Sequence, residues 1–254
     1  MILDLFKLDG KVALVTGAGQ GLGQGMAIGL AEAGADIAGL DRTGCEETCA
    51  SVRALRREYH ESIVDLREAS VDDLNTVVAN IVNELGRIDI LVNNAGTIRR
   101  TPAIDFSEED WDDVLQINLK AAFFLAQSVA RVMMSQGNGK IINIASMLSF
   151  QGGITVPSYT ASKSALAGVT RALANEWAKH KINVNAIAPG YMATANTAAI
   201  REDPDRSTSI LERIPAGRWG KPDDLKGATV FLASSASDYM HGAIVAVDGG
   251  WLTR

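Results

Sequence analysis

Four polar residues of the chain could together hold and move a proton: Asn118, Ser146, Tyr159 and Lys163. They follow a glycine-rich turn that reads Thr-Gly-Ala-Gly-Gln-Gly-Leu-Gly at residues 16–23. Such a turn can hold the pyrophosphate of a dinucleotide, and the four residues can exchange a proton with a substrate oxygen. Interconverting an alcohol and a carbonyl needs both a hydride carrier and a proton donor. The combination therefore predicts a dinucleotide-dependent oxidoreductase with these four catalytic residues.

Tyr159 and Lys163 lie four residues apart in a segment, 157–179, whose pattern predicts a helix. This spacing brings them to one helix face, one turn apart. The reference pKa of a tyrosine hydroxyl is about 10, which is too high for efficient acid–base chemistry at neutral pH. A nearby ammonium group and a cationic nicotinamide would both lower that pKa. We therefore expect Tyr159 to be the general acid or base, and Lys163 to lower its pKa and to bind the nicotinamide ribose.

Ser146 directly follows a predicted strand at residues 140–145, where its hydroxyl could hold the substrate oxygen beside the phenol. Asn118 falls within a predicted helix, although asparagine is a poor helix former. A polar residue at a helical break can order water that leads from Lys163 to solvent. Each of the four residues alone also has an ordinary structural interpretation. Their joint order after the glycine-rich turn favours catalysis.

The glycine-rich turn has the placement of a dinucleotide site. Thr16 ends the first predicted strand, and the glycines open the next helix. Gly17 allows the tight turn, Gly21 lets the backbone approach the phosphates, and Gly23 lets the helix lie close to the sheet. Because the chain contains 24 glycines, the pattern alone could be a turn that binds nothing. Its position before a second strand that ends in an acid favours the dinucleotide.

That acid is Asp41, which follows a predicted strand at residues 36–40 and can accept hydrogen bonds from a ribose diol. Its charge would repel a 2′-phosphate, so we expect NAD rather than NADP as the cofactor. Arg42 argues the other way, because a guanidinium group could pair with that phosphate. Asp65 follows the third predicted strand, where the adenine should lie, and Asn93-Asn94-Ala95-Gly96 follows the fourth.

Short apolar runs rich in β-branched residues alternate with longer amphipathic segments. The runs predict strands at residues 11–16, 36–40, 62–64, 88–92, 140–145, 183–188 and 243–247. Their near-continuous apolar character is typical of parallel strands buried on both faces. The repeated strand–helix units predict an α/β fold, a Rossmann-like doubly wound parallel sheet of about seven strands with helices on both faces. We expect a single domain over residues 1–254, with a substrate lid at about 190–220.

The composition agrees with one large α/β unit. The chain has 254 residues, of which 47% are hydrophobic, and its formal net charge is −6. This charge argues against general nucleic-acid binding, which depends on neutralising phosphates. Cys45 and Cys49 form no disulfide framework, and the three histidines lack metal-ligand spacing, so no metal is expected. No signal peptide or apolar span is visible, and we expect a cytoplasmic protein without membrane contact.

The chain resembles the short-chain dehydrogenase/reductase family over essentially its whole length. The family pattern T-G-x-x-x-G-x-G is met within residues 16–23, and the family pattern N-N-A-G is met at residues 93–96. The resemblance implies the catalytic roles given above and a turn at Pro189 and Gly190 that lines the nicotinamide pocket. It also implies a homotetramer in which long helices, here at 111–134 and 157–179, pair between subunits.

The residues expected to bind the cofactor cluster in five loops and in the helix that carries Tyr159. They are Thr16, Gly17, Gln20, Gly21, Leu22, Gly23, Asp41, Arg42, Asp65, Leu66, Asn93, Ala95, Gly96, Tyr159, Lys163, Pro189, Gly190, Met192 and Thr194.

Three longer strings, at residues 93–100, 144–153 and 189–194, resemble the sugar-acid branch of the family, which serves pectin and uronate breakdown. The resemblance implies a deoxy-keto sugar acid as substrate. Its carboxylate needs a cation, and one arginine of the pair Arg99 and Arg100 is the hypothesis, with a solvated loop pair as the alternative. The complete set of expected substrate-binding residues is Arg99, Arg100, Ser146, Gln151, Tyr159 and Arg218.

Other functions fit the same motifs. A 3-oxoacyl-carrier-protein reductase or a polyol dehydrogenase would use the same fold. Asp41 and the absence of a basic residue at Gln20 weigh against the NADPH preference that is usual for such a reductase. A non-catalytic nucleotide sensor is a more remote alternative, because a sensor has no need of a tuned phenol.

Overall fold

Seven parallel strands form one sheet in the computed structural model, which describes residues 1–254. The strand order is β3-β2-β1-β4-β5-β6-β7. The strands are Val12–Thr16 (β1), Asp36–Asp41 (β2), Tyr59–Ile63 (β3), Ile90–Asn93 (β4), Gly139–Ile144 (β5), Ile182–Pro189 (β6) and Ile244–Val247 (β7). The Rossmann-like fold class expected from the sequence is confirmed.

Nine α-helices connect the strands. They are Gly21–Glu32 (α1), Glu46–Ala54 (α2), Val71–Leu85 (α3), Glu108–Leu115 (α4), Ala122–Gln136 (α5), Pro157–Trp177 (α6), Ala198–Glu202 (α7), Pro204–Arg213 (α8) and Lys226–Ala233 (α9). Between α4 and α5, residues Gln116–Ala121 form a π-helical turn. None of these helices has the length and apolar character that crossing a membrane requires.

The strands bury both faces because successive side chains of a strand point in opposite directions. On β1, Leu14 packs in a cluster with residues of α3, α5 and α6. Its neighbours Ala13 and Val15 pack in a second cluster with residues of α1 and α9. The helices therefore cover the sheet on both sides, which explains why β1 is apolar at every position before Thr16.

Helix starts follow local sequence signals. The Ser107 hydroxyl accepts a hydrogen bond from the Asp110 amide at 3.1 Å, and three acidic residues fill the first turn of α4. Such a cap satisfies a free amide, and the acidic residues complement the helix dipole. Ser70 caps α3 in the same way, and Gly86 ends that helix in the left-handed conformation.

Three elements differ from the sequence expectation. β3 spans Tyr59–Ile63 rather than 62–64, because it is an edge strand whose exposed Glu61 and Ile63 interrupt the apolar pattern. The helix expected at 111–134 is instead α4, the π-helical turn and α5. The segment 190–220, which shows no strand pattern, contains the two short helices α7 and α8.

The order of the strands determines where a ligand can bind. β1 lies between β2 and β4, and the chain leaves β1 toward one side of the sheet and later returns on the other. At such a switch point the loops after neighbouring strands diverge and leave a crevice at the carboxyl ends of the strands. The glycine-rich turn after β1 and residues 94–96 after β4 both lie at this edge.

At the amino ends of the strands, the buried carboxylate of Asp89 binds two partly exposed cations. Asp89 is 3% exposed, and it accepts two hydrogen bonds from Arg87 at 2.6 Å, one from Lys11 at 3.0 Å and one from the Val12 amide at 3.1 Å. Burial alone would raise the pKa of Asp89, but these donors stabilise the carboxylate and the pKa lies below its usual value. These contacts tie the segment before β1 to the segment before β4.

We expect the substitution Asp89→Asn to lower the free energy of unfolding at neutral pH by about 2 kcal/mol, because hydrogen bonds to a buried charge contribute about that much. The folded-state pKa is below the unfolded value of about 3.9, so the stabilisation is fully present above that value. It is lost as the pH falls through the folded-state pKa. Urea unfolding over a series of pH values measures the difference between wild type and variant.

Asp112→Asn is the matched control, because Asp112 is exposed on α4 and forms no ion pair. Its unfolding free energy should follow that of the wild type at every pH. A gap between Asp89→Asn and wild type that persists unchanged in acid would contradict the interpretation.

Candidate active site

Hydrogen bonds from the end of β4 hold the glycine-rich turn. The Thr16 hydroxyl oxygen accepts from the Asn94 amide at 3.0 Å and from the Ala95 amide at 2.9 Å. In return, the Asn94 side-chain amide donates to the Thr16 carbonyl at 2.8 Å. Thr16 is 2% exposed, so this exchange is shielded from water. The two loops at the switch point therefore form one unit.

The glycine-rich turn has the shape of a phosphate site. A Cβ at Gly23 would lie 1.9 Å from the Gly17 carbonyl oxygen, so only glycine fits where α1 passes the turn. A Cβ at Gly21 would meet nothing nearer than Thr194 at 3.8 Å, which leaves open space between the start of α1 and the loop after β6. No side chain caps α1 and no acid lies in its first turn. The free amides and the positive helix end suit an anion there.

Asp41, at the end of β2, is fixed beside the turn. One carboxylate oxygen accepts from the Gly19 amide at 2.9 Å, and the other accepts from the Arg42 amide at 2.8 Å. In the loop after β3, the Asp65 carboxylate accepts a hydrogen bond from the Arg67 amide at 2.9 Å. The Leu66 carbonyl in the same loop accepts a hydrogen bond from the Gln116 side chain at 3.3 Å. These expected adenosine-side residues all lie at the carboxyl edge of the sheet, and they fit a dinucleotide.

Tyr159 and Lys163 meet one turn apart on α6. Lys163 is 3% exposed, its Nζ donates to the Ile144 carbonyl at 2.6 Å, and Nζ lies 5.7 Å from the centre of the Tyr159 ring. Because no carboxylate accompanies it, burial lowers the pKa of Lys163 to about 8. The ammonium group is therefore held in a dry position close to the phenol.

The pKa of Tyr159 differs from the sequence expectation. Burial raises it, while the Ser146 hydroxyl and the Arg100 guanidinium act in the opposite direction and only reduce the rise. The pKa of the phenol is therefore raised rather than lowered, despite the nearby Lys163. Of the two cations in the sequence argument, only Lys163 belongs to the chain, and the protein by itself leaves the phenol protonated at neutral pH.

Asn118 lies in the π-helical turn, so the expected helical break is present. Its side-chain oxygen accepts from the Thr97 amide at 2.8 Å, and its amide group donates to the Thr97 carbonyl at 3.0 Å and to Ser162 at 3.1 Å. At 1% exposure, the side chain joins the loop after β4 to α6 rather than pointing to solvent. Thr97 and Ser162 are not among the residues predicted from the sequence, although Ser162 stands directly before Lys163.

Ser146 lies two residues after β5, and its hydroxyl acts on the phenol of Tyr159. It is 6% exposed, and its hydroxyl oxygen accepts from the Leu148 amide at 3.1 Å, which leaves the hydroxyl proton free for a further acceptor. Gly96 is close to two of the other residues, because a Cβ there would lie 3.2 Å from the Asn118 side-chain oxygen and 3.7 Å from Lys163 Nζ. The structure thus gathers all four predicted catalytic residues at one site.

The two candidate arginines after β4 have different surroundings. Arg99 is engaged by carboxylates, at 2.9 Å from Asp110 and 3.2 Å from Asp113. Arg100 is exposed, and its guanidinium donates only to the Asn196 carbonyl at 3.1 Å. The charge of Arg100 opposes the rise in the pKa of Tyr159, whereas Arg99 is neutralised by Asp110 and Asp113.

The remaining expected residues are divided between two places. Gln151 accepts a hydrogen bond from Arg213 of α8 at 3.4 Å. Arg218 forms two hydrogen bonds with Asp224, at 2.7 and 2.8 Å, and borders a cavity beside Gly190. The structure therefore links Gln151 to α8, and it shows no contact between Arg218 and the four catalytic candidates.

An aromatic cluster missed by the sequence argument packs under α8. The Arg213 guanidinium stacks 3.9 Å from the Trp251 ring, and Tyr191 contacts both Trp251 and Trp219. Arg254 donates to the Glu212 carbonyl at 2.7 Å and so binds the end of α8. The sequence shows that Trp219, Trp251 and Arg254 lie near the end of the chain, but it does not show that they pack against α8.

Comparisons with known proteins agree with this geometry. A sequence model of the family described as Enoyl-(Acyl carrier protein) reductase matches residues 17–252. The chain is 62% identical to the 2-dehydro-3-deoxy-D-gluconate 5-dehydrogenase of Dickeya dadantii, and the match covers 100% of both chains. The Escherichia coli protein of the same name is also 62% identical, again over 100% of both.

Solved structures are similarly close. A candidate 2-deoxy-D-gluconate 3-dehydrogenase from Agrobacterium tumefaciens with bound NADP superposes with a TM-score of 0.92, at 52% identity over 99% of this chain and 100% of that one. A gluconate 5-dehydrogenase from Burkholderia cenocepacia, in complex with NADP and tartrate, gives a TM-score of 0.94 at 40% identity over 100% of both chains.

Proposed function

We propose that this protein, which belongs to the short-chain dehydrogenase/reductase family, interconverts a hydroxyl and a keto group of a deoxy sugar acid. It is an oxidoreductase that acts on CH–OH groups. The observation that carries the proposal is the meeting of Tyr159, Lys163 and Ser146 at the carboxyl edge of the sheet. The full-length similarity to 2-dehydro-3-deoxy-D-gluconate 5-dehydrogenases supports this choice of substrate.

A nicotinamide dinucleotide fits the crevice described above. We assign its pyrophosphate to the amides of the glycine-rich turn and its nicotinamide end to Lys163 and the Pro189–Gly190 turn. When bound, the dinucleotide supplies or accepts the hydride. Tyr159 exchanges the proton with the substrate oxygen, and Ser146 holds that oxygen through its free hydroxyl proton. Lys163 supplies a positive charge from a dry position, where it acts more strongly than in water.

The substrate carboxylate is assigned to Arg100. A planar guanidinium can bind a carboxylate through two parallel hydrogen bonds, and Arg100 has no acidic partner that would compete. Arg99 is a poorer candidate because Asp110 and Asp113 already occupy it. We assign Gln151 to a substrate hydroxyl. Arg218 is a weaker candidate for binding the substrate, because it contacts none of the four catalytic candidates.

For the cofactor, we propose NAD, with NADP as the alternative. Asp41 supports NAD, because a carboxylate fixed by the Gly19 amide would accept from a ribose diol and repel a 2′-phosphate. The NADP bound in the two related structures favours the alternative, in which Arg42 would turn toward that phosphate. The Arg42 side chain forms no ion pair, so its charge is available to that phosphate.

Several broader assignments follow from the same proposal. We assign a single catalytic domain to residues 1–254, in which α7 and α8 act as the substrate lid. A cytoplasmic homotetramer serving pectin or uronate breakdown is the assembly and setting that family membership suggests. The reductase and polyol alternatives use the same catalytic residues, but a neutral polyol offers no carboxylate to Arg100.

We expect NADH-linked reduction of a deoxy-keto sugar acid in a spectrophotometric panel, with roughly tenfold lower catalytic efficiency with NADPH, since about 1.4 kcal/mol of charge repulsion corresponds to that factor. The panel offers 2-deoxygluconate and a polyol, which carry only hydroxyls, with the oxidised dinucleotides, and a 3-oxoacyl thioester with the reduced ones. It offers 2-keto-3-deoxygluconate, which carries both a keto group and hydroxyls, with both. The variant Asp41→Ala should lose the preference for NADH. Higher efficiency of the wild type with NADPH would overturn the NAD assignment, and turnover confined to the thioester would overturn the substrate class.

The variant Tyr159→Phe should lose at least about 100-fold in kcat, because it lacks the hydroxyl proton that general acid catalysis requires. Dinucleotide affinity, measured by quenching of tryptophan fluorescence, should stay within about threefold of wild type. Ser158→Ala is a suitable control on the same helix, since its hydroxyl is buried without a partner. Substantial turnover by Tyr159→Phe would refute the role assigned to the phenol.

The variant Arg100→Gln should raise the KM for the sugar acid by roughly 10- to 100-fold, because charge-assisted hydrogen bonds contribute about 1.5–3 kcal/mol. The KM for the dinucleotide should not change. A neutral analogue with an alcohol in place of the carboxylate should be reduced equally by variant and wild type. Arg206→Gln, on the exposed surface of α8, is the matched control. An unchanged KM for the sugar acid in Arg100→Gln would remove the assignment.

A further inference from the structure

One helix connects two loops that lie on either side of the crevice. The adenosine-side turn, residues 65–69, follows β3, and the substrate-side loop, residues 97–100, follows β4. Helix α4 and the π-helical turn after it contact both loops. The two loops are separated in sequence by α3 and β4, so this helix is their shared partner.

On the adenosine side, the helix binds the turn by charge and by backbone contacts. Arg67 is 2.7 Å from Asp113 and 3.0 Å from Glu109. Gln116 donates to two carbonyls of the same turn, Leu66 at 3.3 Å and Ala69 at 3.2 Å. The turn that is assigned to the adenine is therefore fastened to α4 at several points.

On the substrate side, the same helix binds the loop that ends in Arg100. Arg99 is 2.9 Å from Asp110 and 3.2 Å from Asp113, and it also donates to the Thr97 hydroxyl at 3.2 Å. Asn118, one turn after α4, holds the Thr97 amide and carbonyl. This loop is thus fixed by contacts from successive turns of one helix.

Asp113 is the carboxylate that the two loops share. Its Oδ1 pairs with Arg67 and its Oδ2 pairs with Arg99, and the residue is 8% exposed. Glu109 contacts only Arg67, and Asp110 contacts only Arg99. Removing the charge of Asp113 would leave Arg67 held only by Glu109 and Arg99 held only by Asp110, with no carboxylate common to both.

We propose that Asp113 is a positioning residue that couples the adenosine-side turn to the substrate-side loop. When a dinucleotide orders residues 65–69, Arg67 and Asp113 are fixed, and Asp113 then fixes Arg99 next to Arg100. Thermodynamic linkage makes the coupling reciprocal, so a sugar acid held by Arg100 tightens the dinucleotide site to the same extent. The naming of these two ligands rests on the proposed function, whereas the coupling between the loops does not.

Hydrogen–deuterium exchange on the full-length protein tests the coupling without any ligand. We expect Asp113→Asn, which keeps the shape of the side chain, to speed backbone exchange in both residues 65–69 and residues 97–100. Glu109→Gln should affect only the first segment, and Asp110→Asn only the second. Faster exchange in both segments for Asp113→Asn, with one-sided effects in the two controls, supports the coupling. Exchange that is unchanged in either segment for Asp113→Asn overturns it.

Steady-state kinetics give a second readout that general destabilisation would not produce. Asp113→Asn should raise the KM for the dinucleotide and the KM for the sugar acid by about fivefold each, the lower end of typical coupling between sites. Glu109→Gln should raise only the first KM, and Asp110→Asn only the second. A fall in kcat with both KM values unchanged would overturn the positioning role. If the wild type turns over no sugar acid, the proposed function fails, while the exchange experiment still decides the coupling.

Discussion

The site depends on the exchange of hydrogen bonds between Thr16 and the backbone of residues 94 and 95. A parallel sheet leaves its loops separate at the switch point, and nothing in the sheet itself keeps the loop after β1 against the loop after β4. Here the buried Thr16 hydroxyl and the Asn94 side-chain amide hold the two loops together. These contacts fix the glycine-rich turn relative to the loop that carries the arginines. Asn118 then fixes that loop relative to the catalytic helix α6.

The sheet could be predicted because each buried strand carries its own apolar run in the sequence. Runs such as Val12-Ala13-Leu14-Val15 are apolar at every position because both faces are covered, and β1, β4 and β6 are buried at every residue. β3 was misplaced because an edge strand needs no such run. The long helix at 111–134 was read as continuous because a π-helical turn changes the hydrogen-bond pattern without a strong change in composition.

The candidate site was predictable where spacing alone brings residues together. Tyr159 and Lys163 share a helix face, and Ser146 directly follows a strand, so their positions follow from the elements that carry them. Arg99 and Arg100 could not be told apart, because the difference between them is made by Asp110 and Asp113 of another helix. The direction of the pKa shift of Tyr159 could not be predicted either, because it depends on how deeply the folded protein buries the phenol.

The stacking of Arg213 on Trp251 and the hydrogen bonds from Arg254 to the end of α8 join segments about forty residues apart. α8 therefore completes its packing only when Trp251 is in place against it. Until then Ile210 and Ile214 lack their largest partner, and apolar side chains that stay exposed during folding favour aggregation.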